Sequence, residues 1–410
     1  MKISKILIKN YRSCAETEFS PNEELTALIG PNGSGKTTIL SAIRLLSALL
    51  HVRNRRFHTD ETASSASEIK VWYDWNGKTI IHTAKINIVT NENNRDEIIN
   101  SSESWYMYDI VGTKKRINIP LEIFFDLATE KRRHASGVKG GDQFFLIKYF
   151  KQQGFNENAY EAIEAVVSFI LKINYYSASQ FTNPSNCPLS FEVEGEKGIR
   201  RGISIRGHKK LLYDMYQEFR NKTDISIEFL DIVGADGIGL VDNIEFNEIE
   251  TSTSNYSVMT GGKVTKKERK NLLIIPSFSI SGNNLSPSQL SEGTFKTLAL
   301  IFYLISDKST LLMIEEPEVC VHHGLLNSII ELIKVYSSEK QILISTHSDA
   351  VLDNLEVENV FTVKRKKQYG TIVSNISKNM KKKELKVLKD YLINEGSLGE
   401  YWKHGDLEHV

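Results

Sequence analysis

Gly30-Pro31-Asn32-Gly33-Ser34-Gly35-Lys36-Thr37 is the stretch on which the fold turns. It fits the pattern G-x-x-x-x-G-K-[ST] at every fixed position. Glycines at those positions let backbone N–H groups turn inward around a phosphate, and a following helix aims its positive N-terminal end at the same anion. Lys36 would reach the β- and γ-phosphates of a nucleotide, and Thr37 would offer its hydroxyl to Mg²⁺. The context is the one such a loop needs. Leu25 to Ile29 reads as a buried strand before it, and Thr38 to Leu50 as a helix with an apolar stripe after it. An incidental Gly-rich turn would not bring that strand and that helix with it.

Downstream, Leu311-Leu312-Met313-Ile314 is an apolar run that reads as a buried parallel strand. Glu315-Glu316-Pro317-Glu318 follows at its C-terminal end, where open α/β sheets bind their ligands. There Glu315 is placed to hold Mg²⁺ through its water shell, and Glu316 to polarise an attacking water as general base. Glu318 reads as structural or as part of a dimer contact. Gln341–Ser345 reads as a second buried strand, and Leu343-Ile344-Ser345-Thr346-His347-Ser348 ends it in a polar cluster with one His at its tip. The His347 imidazole could hydrogen-bond the γ-phosphate or the attacking water. Leu290-Ser291-Glu292-Gly293-Thr294 opens a helix that continues to Ser306, and Ser followed by Gly at a helix start is another anion-binding end. One γ-phosphate does not need two such helices, so this one is expected to cap the nucleotide of a second copy of the chain. The competing expectation is a plain N-cap, with Ser286 and Ser288 also near enough to cap.

The remainder is less specific. The 410 residues are 40% hydrophobic and 25% charged, ample for a large core, in one big domain or two. Lys+Arg and Asp+Glu both total 51, so the overall charge gives no support for a nucleic-acid partner, although a local patch could still bind one. Three unpaired cysteines, Cys14, Cys187 and Cys320, argue against a disulfide framework and a Cys-ligated zinc site. The start alternates polar and apolar residues, unlike a signal peptide, and no apolar run reaches membrane length, so a cytoplasmic location is expected. Residues 1–30 read as two strands around a turn, with Ile3, Ile6 and Ile8 in the first. Ile69–Trp75 and Thr79–Val89 look strand-like, 143–173 helical with a strand at 173–177, and Lys209–Phe219 helical. The stretch 234–265 resembles a mobile or hairpin-bearing insertion.

Taken in order, GPNGSGKT, LSEGT, LLMIEEPE and STHS resemble the ABC-type ATPase heads of the SMC/RecF branch. The likeness covers the first fifty or so residues and roughly 285–365 well, and the middle in outline. It implies an α/β P-loop ATPase head with a mixed central sheet flanked by helices, two lobes, and an inserted α/β segment without long coiled coil. The implied division is 1–180 (N-terminal lobe), 181–284 (insertion), 285–365 (C-terminal lobe) and 366–410 (basic tail with a terminal helix). Gly30, Pro31, Asn32, Gly33, Ser34, Gly35, Lys36, Thr37 and Thr38 match the Walker A loop, and Glu315 and Glu316 the Walker B pair. Ser291, Glu292 and Gly293 match the signature acting in trans, and His347 the switch histidine. ATP and Mg²⁺ are the implied ligands, with Thr37 and Glu315 on the metal and Glu316, His347 and Lys36 in catalysis.

Arg12 sits where related heads contact the nucleotide. Gln180 is the first candidate for the lid glutamine and Gln143 the second, and His322-His323 resembles a loop that meets the opposing subunit. Two departures stand out: Thr294 follows the signature Gly, and the first Walker B acid is Glu315 rather than Asp. The latter looks like the EEPE variant of RecF-like and OLD-like proteins and steers away from transporter ATPases.

The gap between the lobes carries no heptads, against long-reach DNA tethering. Roughly sixty residues follow His347 without a D-x-D pattern, so a TOPRIM nuclease is not expected after it. The stretch 395–402 also resembles the tails of stand-alone RecF-like ATPases of bacterial defence loci. The implied function is an ATPase that dimerises around nucleotide, possesses no effector of its own and regulates a separately encoded one, a nuclease, in anti-phage defence. The alternative is a RecF-type DNA-repair ATPase. It needs a basic groove, for which Arg53, Arg55, Arg56, Lys131-Arg132-Arg133-His134, Lys266, Lys267, Arg269, Lys270 and Lys364–Lys367 are candidates; the competing reading of each is a solvated face.

Overall fold

Alternating apolar and charged residues make the N-terminal strands. In the computed structural model, which describes residues 1–51, 66–90, 96–107, 116–119, 157–193, 207–258, 264–319, 321 and 323–404, the strands are as follows. Strands β1 (Lys2–Tyr11), β2 (Cys14–Phe19), β3 (Leu25–Ile29), β4 (Ser67–Trp75), β5 (Lys78–Thr90), β6 (Asp96–Met107), β7 (Arg116–Ile119) and β8 (Ile173–Ser177) precede the long middle segment. Strands β9 (Phe191–Val193), β10 (Asn243–Val258), β11 (Val264–Ile280), β12 (Asn283–Leu285), β13 (Leu311–Glu315), β14 (Gln341–Thr346), β15 (Val360–Lys366) and β16 (Gly370–Asn375) follow.

Contacts divide the chain into two units. The first comprises Met1–Tyr176, Lys308–Pro317 and Ile330–Val410. It holds an antiparallel sheet in the order β2-β1-β4-β5-β6-β7 and a mixed sheet in the order β16-β15-β3-β14-β13-β8. Strand β2, where the sequence suggested only a turn, is held on β1 by Lys5–Glu18 (2.7 Å) and Lys9–Glu16 (2.6 Å) across its outer face. Such exposed, solvent-screened pairs contribute little, so its placement rests more on buried Cys14, Thr17 and Phe19. One core joins Ile6, Ile8, Ile69 and Val71 of the antiparallel sheet to Leu28, Met313 and Leu343 of the mixed one. Ile39, Leu40, Ile43 and Leu46 of helix α1 (Lys36–His51) and Ile163, Val166 and Ile170 of the helix Glu157–Leu171 belong to the same core.

The mixed sheet positions the chemistry. Strands β13, β14, β3 and β15 are parallel, and Glu315, Ser345 and Leu28 share one register line. The loop after β3, the acids ending β13 and the His after β14 therefore leave the sheet at one edge, its C-terminal edge. At the other end, the buried Gln341 amide exchanges hydrogen bonds with Ile3 (2.9 Å each way) and donates to the Asn22 carbonyl (2.7 Å), leaving no polar atom of that amide unsatisfied.

The second unit is Ser177–Asp307 with Glu318–Ile329. Its sheet runs β10-β11-β12, with β9 on β11 at Leu272–Ile274, and β10–β11 is a hairpin paired one-to-one from Asn243↔Ser279 to Val258↔Val264. The helices Gly207–Asn221, Asp224–Val233 and Glu292–Ser306 belong to this unit. Their rings interlock: Phe229 meets Phe302 edge-on at 5.4 Å, and His208 stacks on Phe295 at 5.3 Å. The segment 285–307, grouped with the C-terminal lobe on sequence, packs with the insertion here, because the Glu292–Ser306 helix buries its apolar side on these aromatics.

Candidate functional site

The phosphate loop is held by its glycines and by β16. Gly33 and Gly35 have φ of 80° and 112°, the left-handed region that a side chain resists. At Gly35 a Cβ would also lie 2.2 Å from Thr371 Oγ1, so this turn admits only glycine. Thr371 pins it from below: its hydroxyl donates to the Ser34 carbonyl (3.0 Å) and lies 2.9 Å from Ser13 Oγ, and its N–H donates to the Ser13 carbonyl (2.8 Å). Lys36 is 6% exposed, and its ammonium donates to the Gly30 (2.6 Å) and Pro31 (3.2 Å) carbonyls, because a buried cation must find acceptors. Ser34 is 2% exposed and its Oγ has no partner. An orphan hydroxyl in a cradle of strained glycines beside a buried ammonium fits a phosphate group.

A cleft of about 430 Å³ opens on this loop, lined by Arg12, Ser13, Asn32, Gly33, Gly35, Lys36, Thr37, Thr38, Glu316 and Arg365. Thr37, which lines it, donates its hydroxyl to Glu315 Oε1, and the Tyr175 hydroxyl donates to Glu315 Oε2. Thr37 and Glu315 offer the hard oxygens that Mg²⁺ prefers. Among the described residues no three His, Cys, Asp or Glu form a metal cage. Mg²⁺ characteristically keeps several waters and takes further ligands from phosphates.

Glu316 leaves the strand with φ of 50°, its N–H donating to the Ser345 carbonyl at 2.8 Å. His347 Nδ1 lies 3.4 Å from Glu316 Oε1, and both side chains are partly exposed. The structure thus brings together Lys36, Thr37, Glu315, Glu316, His347 and Arg12, from segments more than 300 residues apart. Arg12 has φ of 49° and lies over the Tyr11 ring at 5.4 Å, so the β1–β2 turn presents it to the cleft.

The signature residues are in the second unit. Ser291 is the N-cap of the helix Glu292–Ser306, accepting from the Thr294 N–H at 3.1 Å, while Ser286 caps the short turn Pro287–Gln289. Glu292 pairs with Lys296 at 2.7 Å, and Lys296 is 2% exposed. Gln180 is exposed in a 3-10 turn directly after β8. Gln143, His322, Cys320, Arg53, Arg55, Arg56 and Lys131–His134 lie outside the described residues, as do the side chains of His323, Lys266, Lys267, Arg269 and Lys270.

Sequence reasoning missed Tyr175, Ser13 and Thr371, and it placed Arg365 in a basic run for nucleic acid where the fold turns it to the cleft. Nothing local marks these residues: each reaches the site only through strand order.

Two family profiles match the chain: one described as "AAA ATPase domain" over residues 1–185, the other as "AAA domain, putative AbiEii toxin, Type IV TA system" over residues 261–353. Among curated proteins, the DNA replication and repair protein RecF of Prosthecochloris aestuarii is 51% identical over 43 residues, 10% of this chain and 12% of RecF. The DNA double-strand break repair Rad50 ATPase of Methanopyrus kandleri is 49% identical over 43 residues, 10% of this chain and 5% of Rad50. The chain thus matches only a small part of the length of these relatives. A solved SMC head, bound in its crystal to the C-terminal winged-helix domain of ScpA, aligns with 92% of this chain and 99% of its own at TM-score 0.50 and 14% identity, a likeness of fold. With the phosphate loop, the acid-ended strand and His347 at one sheet edge, and with both profiles matched, the chain carries an AAA-type ATPase domain and is similar to the SMC/RecF-like ABC-type ATPases.

Proposed function

We propose that this protein binds ATP with Mg²⁺, hydrolyses it between two copies of the chain, and regulates a separately encoded effector, a nuclease, in bacterial anti-phage defence. The observation that carries the ATPase part is the pairing of Thr37 with Glu315 and of Glu316 with His347 beside one phosphate loop. Lys36 exchanges its loop carbonyls for phosphate oxygens, and the loop N–H groups take the rest of the anion's charge. Mg²⁺ on Thr37 and Glu315 would offset charge on the β- and γ-phosphates. Glu316 accepts a proton from the water that attacks γ-phosphorus as the bond to the β-phosphate oxygen breaks, giving ADP and phosphate. His347, whose Nδ1 lies 3.4 Å from Glu316 Oε1, orients that carboxylate and turns its other ring nitrogen to the γ-phosphate. Ser291 and Gly293 of a second copy close the site, so the dimer is isologous and carries two ATPs.

The effector role draws on the likeness of the stretch 395–402 to the tails of stand-alone RecF-like ATPases of bacterial defence loci. Among the described residues no helix is long and apolar enough to cross a membrane; a cytoplasmic location is part of the proposal. The test is ATP turnover by the purified chain against protein concentration, with light scattering in ATP. Absence of turnover together with absence of nucleotide-dependent self-association sinks the proposal.

A second reading, a DNA-repair ATPase, draws on the DNA-repair functions of the RecF and Rad50 relatives. Salt-dependent DNA binding by the protein alone favours it, whereas DNA binding only with a partner present favours the first.

A further inference from the structure

Glu315 is engaged at both carboxylate oxygens, by Thr37 on one and Tyr175 on the other. Tyr175 belongs to β8, the neighbour of β13 in the mixed sheet. Its ring packs, partly buried, against the core, and the Arg44 guanidinium lies 5.1 Å from the ring centroid. Arg44 is two helical turns beyond Thr37 on α1, so both project from one stripe of that helix. Helix α1 therefore holds the Tyr175–Glu315 pair at both ends: Thr37 on the carboxylate and Arg44 on the ring.

We propose that Tyr175 is a positioning residue for the metal site. A glutamate carboxylate sits on a flexible side chain and loses rotamer freedom when fixed. A phenol donating to one oxygen makes a charge-assisted bond and leaves the other oxygen facing the Thr37 hydroxyl, the pair that would hold Mg²⁺. Partners that hold a metal ligand from behind, without touching the ion, tune its affinity in this way. The inference rests on the ATP-binding proposed above.

The test uses the full chain and Tyr175→Phe, which removes the hydroxyl and keeps the ring over Arg44. Mn²⁺ is the probe, its free concentration read by electron paramagnetic resonance in the presence of ATP. Tyr175→Phe is expected to lower Mn²⁺ affinity on the order of tenfold. ATP binding in EDTA and Tm should stay unchanged, and kcat should recover at high Mg²⁺. Wild-type Mn²⁺ affinity in Tyr175→Phe overturns the proposal. Tyr175→Leu, which loses the ring as well, separates packing from positioning: if it alone weakens Mn²⁺ binding, Tyr175 is a packing residue and the proposal falls. A wild-type chain that binds neither ATP nor Mn²⁺ overturns the site itself and this inference with it. That result is distinct from a binding-competent wild type matched by Tyr175→Phe.

Discussion

The chain builds two helix N-termini that the sequence marks as anion sites, and it treats them oppositely. Helix α1 has no acid in its first turn, opens from a glycine loop, and begins with Lys36 and Thr37 at a cleft. The helix Glu292–Ser306 is capped by its own Ser291 and carries Glu292 in its first turn, with a buried Lys296 beneath. The first end is left for an anion from solution. The second already complements its dipole with a carboxylate, and the paired Lys296 offsets part of the repulsion a phosphate would meet there. One half of the proposed site binds; the other closes over what is bound.

Four substitutions break or sharpen that contrast. Glu316→Gln bears on the binding half and should show the largest effect, a fall in turnover of roughly 10²–10⁴-fold with ATP binding kept. The closed dimer should then accumulate in light scattering, and normal turnover would remove Glu316 as the base. Lys36→Ala should weaken ATP about 10- to 100-fold in calorimetric titration, the value of charged hydrogen bonds worth ~1.5–3 kcal/mol. Ser291→Ala should lower unfolding stability in urea by about 1 kcal/mol for the lost cap. It should leave ATP binding intact and abolish ATP-dependent dimers; dimers that persist would make the second end a plain helix start. Lys296→Met is the mildest, because a first-turn carboxylate is itself worth only ~0.3–1 kcal/mol to the helix. ATP-driven association should weaken and recover partly with added salt, as screening quiets Glu292.

The elements that carry these groups were legible for a definite reason. Buried parallel strands read as unbroken apolar runs, so β3, β13 and β14 were found to within a residue or so, and the loop and acids at their ends with them. What escaped is what pairing supplies. Tyr175 in β8 reads as an ordinary strand aromatic until β8 lies beside β13, and Thr371 as a polar residue of an edge hairpin until β16 runs under the loop. Arg365 belongs to a run of basic residues whose composition suggests a solvated or nucleic-acid face; only the antiparallel return of β15 and β16 carries it to the cleft. Strand β2 was missed because its outward glutamates answer lysines on β1, a cross-strand match invisible along the chain. The six-strand order of the antiparallel sheet is likewise a matter of register between distant segments.

Glu316 sits in the left-handed region, where a residue with a Cβ loses on the order of 1–2 kcal/mol against the ordinary backbone. If Glu316 is the base proposed above, two selective pressures oppose each other at this one position: turnover demands the carboxylate, and the fold alone would settle more comfortably on glycine or asparagine. In a lineage whose partner needs only nucleotide-driven clamping, the carboxylate has no defender, and drift runs towards the small residue and a firmer head. Among descendants of such a chain, the identity of this one residue would record whether the machine still cycles or has become a latch.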